Sequence, residues 1–297
     1  MMTNTATPTD LTKSYPVHYK IVAIDGQDVF YREAGASDAP VMLLLHGFPT
    51  SSNMFRNLIT KLAPTFRVIA PDYIGYGLSS MPDPNAFAYT FENQTNFVER
   101  LVGNLGLETF SMYVMDYGAP IGYRLALRRP EKITGLVIQN GNAYDEGLLE
   151  FWDPIKKYWN DHSSESEAGL AHLVKLDATK WQYQNGVSDI SLLDPTAWVL
   201  DQCGLDRPNN DRVQLDMFYD YRTNVPLYPQ FQEFFRRYQP PTLIVWGEND
   251  FIFPPPGAEA YKQDLKNLET YMLPTGHFAL ETHCDEIADH INRFFHK

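Results

Sequence analysis

Strand-like apolar runs alternate with helical spacing along most of this chain, and few folds accommodate that alternation. Val41–Leu45 is apolar at every position, the pattern of a strand buried on both faces. Two strand candidates precede it, Tyr19–Ile24 and Asp28–Arg32, on either side of Gly26. After it come a helical pattern from Ser51 and Ser52 through Leu58 and Leu62, and a strand over Phe66–Ala70. The glycine-punctuated turn 72–77 leads to a helix over Asn93–Leu105, a strand over Phe110–Met115, a helix over Ala119–Arg128 and a strand over Ile133–Gln139. The rhythm resumes with strands over Thr242–Trp246 and Glu269–Leu273 and helices over Ala258–Leu265 and Asp285–Phe295. Such units predict a mostly parallel sheet covered by helices on both faces.

Between 142 and 238 the rhythm breaks. Segments near Leu148–Asn160, Glu167–Lys175, Pro195–Gln202, Asp211–Tyr219 and Gln230–Tyr238 have helical spacing with polar, proline-containing joins and no buried strand among them. The expected organisation is therefore a core in two parts, 1–141 and 239–297, with a helical cap over 142–238. A chain of 297 residues, 44% of them apolar, can bury a core of that size. No short repeat occurs, and no Gly-x-Gly-x-x-Gly follows the first strand, so no nucleotide cofactor is expected.

A formal charge of −13 disfavours phosphate backbones and anionic membranes as partners. Only Cys203 and Cys284 are present, which argues against a disulfide scaffold and for a cytoplasmic protein. The first sixteen residues lack the apolar stretch of a signal peptide and read as a loose arm. No run approaches the roughly 20 apolar residues of a membrane span. Self-association is compatible with all of this.

Three strand ends carry residues suited to chemistry. Asp116 follows the strand ending at Met115, and Gly118 behind it permits a sharp strand-to-helix turn. Such a turn exposes a carboxylate able to attack carbon, whereas capping of the next helix is the plainer role. Asp250 ends Val245-Trp246-Gly247-Glu248-Asn249-Asp250, and His277 follows Gly276 after the last strand. His277 can take a proton from water, and Asp250 can orient the imidazole from its other nitrogen. Glu248 competes with Asp250, but Asp250 is a short carboxylate set after the chain has turned. In His46-Gly47-Phe48-Pro49 the backbone N–H of Phe48, together with that of Tyr117, can hold an oxyanion, while Pro49 has no N–H to offer. His46 is expected to brace that turn. His46, His277 and His283 lack the compact spacing of a metal site, so no metal is expected.

With these motifs the chain, over about residues 17–297, resembles the α/β-hydrolase family, in particular its epoxide hydrolase and haloalkane dehalogenase branch. The resemblance implies an eight-stranded core with an inserted cap, Asp116 as nucleophile, Asp250 as charge-relay acid and His277 as the base that activates water. It implies a small electrophilic substrate, and the aromatic residues of the cap favour a mainly apolar one. The small residue usual two places before the nucleophile is Val114 here. Tyr221, beside Arg222, resembles the cap tyrosine that protonates an opening epoxide, with Tyr219 its neighbouring competitor. Tyr158 is the candidate for the second such tyrosine, and Tyr144 a further one. The leading expectation is an epoxide hydrolase working through an ester on Asp116.

A haloalkane or haloacid dehalogenase using the same nucleophile is the alternative. Those enzymes commonly place Trp beside the nucleophile and Trp or Asn at a halide-binding position, where this chain has Tyr117 and Phe48. Trp159 and Trp181 are candidates for cap N–H donors to the pocket. A serine esterase fails at Asp116, and a non-catalytic ligand-binding homologue would keep Asp116 only as an anchor.

Overall fold

The computed structural model describes residues 14–296, so the arm up to residue 13 lies outside the described residues. Eight strands form one sheet: β1 (His18–Ile24), β2 (Gln27–Ala34), β3 (Val41–Leu45), β4 (Arg67–Pro71), β5 (Phe110–Met115), β6 (Ile133–Gln139), β7 (Thr242–Gly247) and β8 (Leu268–Leu273), in the order β1-β2-β4-β3-β5-β6-β7-β8. The pairs β1–β2 and β2–β4 are antiparallel, and every pair from β4 to β8 is parallel. All eight predicted strands form.

Side-chain alternation divides the centre of the sheet between two apolar layers. Leu43, Leu45, Met112, Val114, Leu136, Ile138, Ile244 and Trp246 pack into one. Met42, Leu44, Tyr113, Met115, Val137, Leu243 and Val245 pack into the other. Helices α1 (Arg56–Leu62), α2 (Phe91–Asn104) and α3 (Gly118–Arg128) belong to the first part of the core.

The chain between β6 and β7 forms the cap, with α4 (Asp153–Asp161), α5 (Ser164–Leu170), α6 (Leu176–Gln184), α7 (Pro195–Leu205), α8 (Asn210–Asp220) and α9 (Tyr228–Tyr238). Helix α6 was not anticipated. It has no side-chain N-cap, and tertiary ties hold it: Thr179 donates to Gln202 at 2.9 Å, and the Tyr183 hydroxyl donates to Asp201 at 2.6 Å. The core closes with α10 (Pro256–Ala260) and α11 (Ala279–Phe295). The latter starts at Ala279 and carries a non-helical break at His283, just ahead of the expected start at Asp285.

The parallel register brings the loops after β3, β5, β7 and β8 to one edge of the sheet. Leu45 pairs with Val114, Met115 with Gln139, and Gly247 with Leu273. Open α/β sheets bind ligands at this carboxyl edge. Among the described residues no helix is long and apolar enough to cross a membrane, and no group of three His, Cys, Asp or Glu could hold a metal ion.

Candidate active site

Asp116 stands at the turn from β5 into α3 with φ of +50°, in the left-handed region. That conformation costs a residue with a Cβ roughly 1–2 kcal/mol, and the close packing around it holds the turn. A Cβ on Gly118 would lie 2.1 Å from the Leu45 carbonyl oxygen, and one on Gly47 would lie 2.2 Å from the Asp116 Cβ. Both positions therefore require glycine for space. Val114 fits because Gly122 faces it: a Cβ there would come within 2.7 Å of Val114 Cγ1.

The turn delivers the carboxylate to two backbone donors. Phe48 N–H donates to Asp116 Oδ1 at 2.7 Å and Tyr117 N–H donates to the same oxygen at 2.6 Å. The side chain thus does not cap α3. Its other oxygen, Oδ2, lies 3.8 Å from His277 Nε2, too far for a hydrogen bond. His277 Nδ1 is 2.7 Å from Asp250 Oδ2, and Nε2 has no hydrogen-bond partner among the described residues. A proton on Nδ1 leaves the Nε2 lone pair facing the gap to Asp116.

Burial raises the Asp116 carboxyl, the imidazole and the two N–H donors offset part of the rise, and the result is about 6. Burial pulls His277 down, but the Asp250 charge and hydrogen bond, with Asp116 adding to them, hold it above the ordinary imidazole value. Asp250 is buried whereas Glu248 is exposed. Asp250 also accepts from Ile252 N–H at 2.7 Å and from the Asn140 amide at 2.8 Å. Asn140, at φ of +43°, accepts in turn from Gly247 N–H at 3.0 Å. Sequence reasoning missed Asn140. Its signal was an amide just past β6, between the strands that present Asp116 and Asp250.

His46 braces the turn that carries Phe48, as expected. Its Nδ1 is 2.9 Å from the Gly47 carbonyl, its Nε2 accepts from Tyr73 N–H at 3.3 Å, and burial depresses it to about 3, which keeps it neutral.

A cavity between core and cap ends on Asp116. Phe48, Tyr117, Ile252, Phe151, Trp152, Ile155, Leu173, Gln182 and Phe218 complete its lining. About 20 Å³ of it is open to the centre of a water-sized sphere, room for about one water. The lining is largely apolar, so charges inside it are poorly screened.

A family model described as alpha/beta hydrolase fold matches residues 40–283. This chain belongs to the α/β-hydrolase family. The hydrolase is 46% identical over 281 residues to an uncharacterized hydrolase of Saccharomyces cerevisiae, covering 93% of this chain and 96% of that one. It is 30% identical over 190 residues to a haloalkane dehalogenase of Bradyrhizobium diazoefficiens, covering 64% of this chain and 57% of that one. The crystal structure of the haloalkane dehalogenase DbeA from Bradyrhizobium elkani superposes with a TM-score of 0.75 at 23% identity, over 95% of this chain and 98% of that one, a likeness of fold.

The hydrolase brings Asp116, Asp250, His277 and the Phe48 and Tyr117 amides together, but the predicted cap residues lie off the cavity lining. Tyr158 turns its hydroxyl to Glu167 at 3.3 Å, and burial, with Glu167 adding, raises it to about 12. Tyr144 donates to Asp264 at 2.7 Å. Trp159 spends its N–H on the Phe218 carbonyl at 2.7 Å. Trp181 is 36% exposed and stacks on Phe151. Tyr221 is fully buried, with its ring against Trp152 and its hydroxyl 3.5 Å from that of Tyr228. Helical spacing placed these residues in the cap but not the direction each faces. Trp152, Gln182 and Phe218, which do line the cavity, carried no motif.

Proposed function

We propose that this hydrolase displaces a leaving group from saturated carbon with Asp116, holds the product as an alkyl ester and releases it with water activated by His277. What carries this reading is the unequal setting of the two Asp116 oxygens, with Oδ1 held by two backbone N–H groups and Oδ2 unbonded at 3.8 Å from His277 Nε2. Oδ2 attacks and becomes the ester oxygen. Water then attacks the ester carbonyl while Nε2 takes its proton, and negative charge gathers on Oδ1 between the Phe48 and Tyr117 donors. Asp250 keeps Nδ1 protonated and stabilises the imidazolium.

The similarity to haloalkane dehalogenases supports a carbon–halogen bond in a small apolar substrate as the first reading. The chain's own residues favour a second reading, an epoxide. Tyr117 and Phe48 stand where those dehalogenases commonly carry halide-binding residues, and the Tyr221 ring, whose hydroxyl is 3.5 Å from that of Tyr228, packs behind Trp152 of the cavity lining.

One experiment tests the reaction and ranks the substrates. Wild type is given a panel of alkyl halides and epoxides, with halide and diol measured separately, and His277→Gln is followed by intact-protein mass. The expected result is halide release and an alkyl adduct mapped to Asp116. An adduct mapped consistently to another residue would overturn the ester mechanism. Diol without halide would move the assignment to epoxides, and Tyr221→Phe should then slow alkylation.

A further inference from the structure

Charge that leaves carbon in a nearly dry chamber needs a donor, and few cavity-lining donors are free to act. The Trp152 indole N–H donates to the Ile252 carbonyl at 2.8 Å. The Tyr117 hydroxyl is unpartnered but sealed from the open space, with its ring packed edge-on against Phe91. Gln182 differs. It is 4% exposed, lines the cavity that ends on Asp116, and its side-chain amide has no hydrogen-bond partner among the described residues. Its neighbours on α6 are committed elsewhere, Thr179 to Gln202 and Tyr183 to Asp201. Unlike the Tyr117 hydroxyl, this amide is not sealed away from the open part of the cavity, and a donor without a protein partner gains one when an anion arrives.

We propose that the Gln182 side-chain amide is the donor that receives the leaving group, and that the group it suits departs as a halide. The inference rests on the alkyl-ester reading above and deepens it. As Asp116 Oδ2 bonds to carbon, the carbon–halogen bond breaks with both electrons on the halogen. The negative charge of the carboxylate passes to the halide, which accepts the Gln182 N–H hydrogen bond without taking the proton. An amide N–H does not give up its proton near neutral pH. It therefore serves an ion that leaves as an anion better than an alkoxide that must be protonated.

The test is single-turnover alkylation of the full chain by butyl chloride, butyl bromide and butyl iodide, with an epoxide of the same carbon count as contrast. Gln182→Met keeps the side-chain length without the donors, and Gln182→Glu replaces them with acceptors. Gln182→Met should slow alkylation roughly 10²-fold, the usual cost of losing one such donor. The loss should be largest for chloride, the poorest leaving group, and smallest for iodide, and Gln182→Glu should be worse throughout. Decay of the ester once formed should be unchanged, and inhibition by added sodium bromide should weaken in both variants. A structural role would slow all three halides alike and would overturn the proposal, as would wild-type rates in folded Gln182→Met and Gln182→Glu. An Asp116 adduct from the epoxide and from no halide would overturn the halide assignment. The absence of an Asp116 adduct from every substrate in His277→Gln would instead remove the ester reading on which it rests.

Discussion

The two walls of the cavity are built on different principles. On the core side, backbone geometry places each group. Asp116 sits on a turn hemmed in by Gly47 and Gly118, two main-chain amides hold its Oδ1, and Asp250 and His277 follow parallel neighbouring strands. On the cap side, Phe151, Trp152, Ile155, Leu173, Gln182 and Phe218 come from separate short elements, and their directions depend on how those elements pack. In the proposed mechanism the core wall supplies the reacting groups, and the cap wall supplies the contacts that would select the substrate.

The sharpest challenge to this contrast is Asp116→Asn, which retains the side-chain shape and tolerates the left-handed backbone. Alkylation should fall at least about 10³-fold in rapid-quench measurements. A loss under tenfold would mean that the core wall is not where the chemistry occurs. Next is Asn140→Gly, which keeps the positive φ and removes the hydrogen bonds to Asp250 and Gly247. Ester decay, read by mass, should slow about tenfold while alkylation is spared.

The pH dependence of alkylation is a third probe. In the proposed mechanism Asp116 attacks as the carboxylate, so the rate should rise with pH through a limb at about 6 and level off above it. In His277→Gln the limb should move to higher pH, because the imidazolium charge that lowers Asp116 is gone. A downward shift would contradict the pairing. Gly122→Ala should cost about 1–3 kcal/mol in denaturant unfolding, and adding Val114→Ala should recover part of that loss. The smallest effect belongs to the cap. Tyr158→Phe should leave alkylation within about twofold, because its hydroxyl serves Glu167 and not the cavity.

The sequence makes the core wall readable because its constraints are local. Apolar runs announce β3, β5 and β7, and the residue just past each strand is carried to the common edge whatever its side chain. Asp250 could be preferred to Glu248 on chain direction alone. The cap lacks such a rule. Helix α6 has neither a cap residue nor a marked apolar face, so local pattern could not find it, yet it carries Gln182. Tyr158, Tyr144, Trp159 and Trp181 were attractive because of their side chains. In the fold their polar groups meet Glu167, Asp264, a main-chain carbonyl and the surface. Asn140 was missed for a different reason: it meets Asp250 only because β6 lies next to β7.

The cap leaves the core at the end of β6 and returns at the start of β7, strands that pair directly, with Leu136 opposite Thr242. To the core it is a closed loop anchored on adjacent strands. The entropy lost in closing a loop grows only with the logarithm of its length, about 0.6 kcal/mol for each doubling. Segments can therefore be inserted into or deleted from the cap at little cost to the stability of the sheet. The cap can thus be exchanged while β5, β7 and β8 go on presenting Asp116, Asp250 and His277 at the same edge.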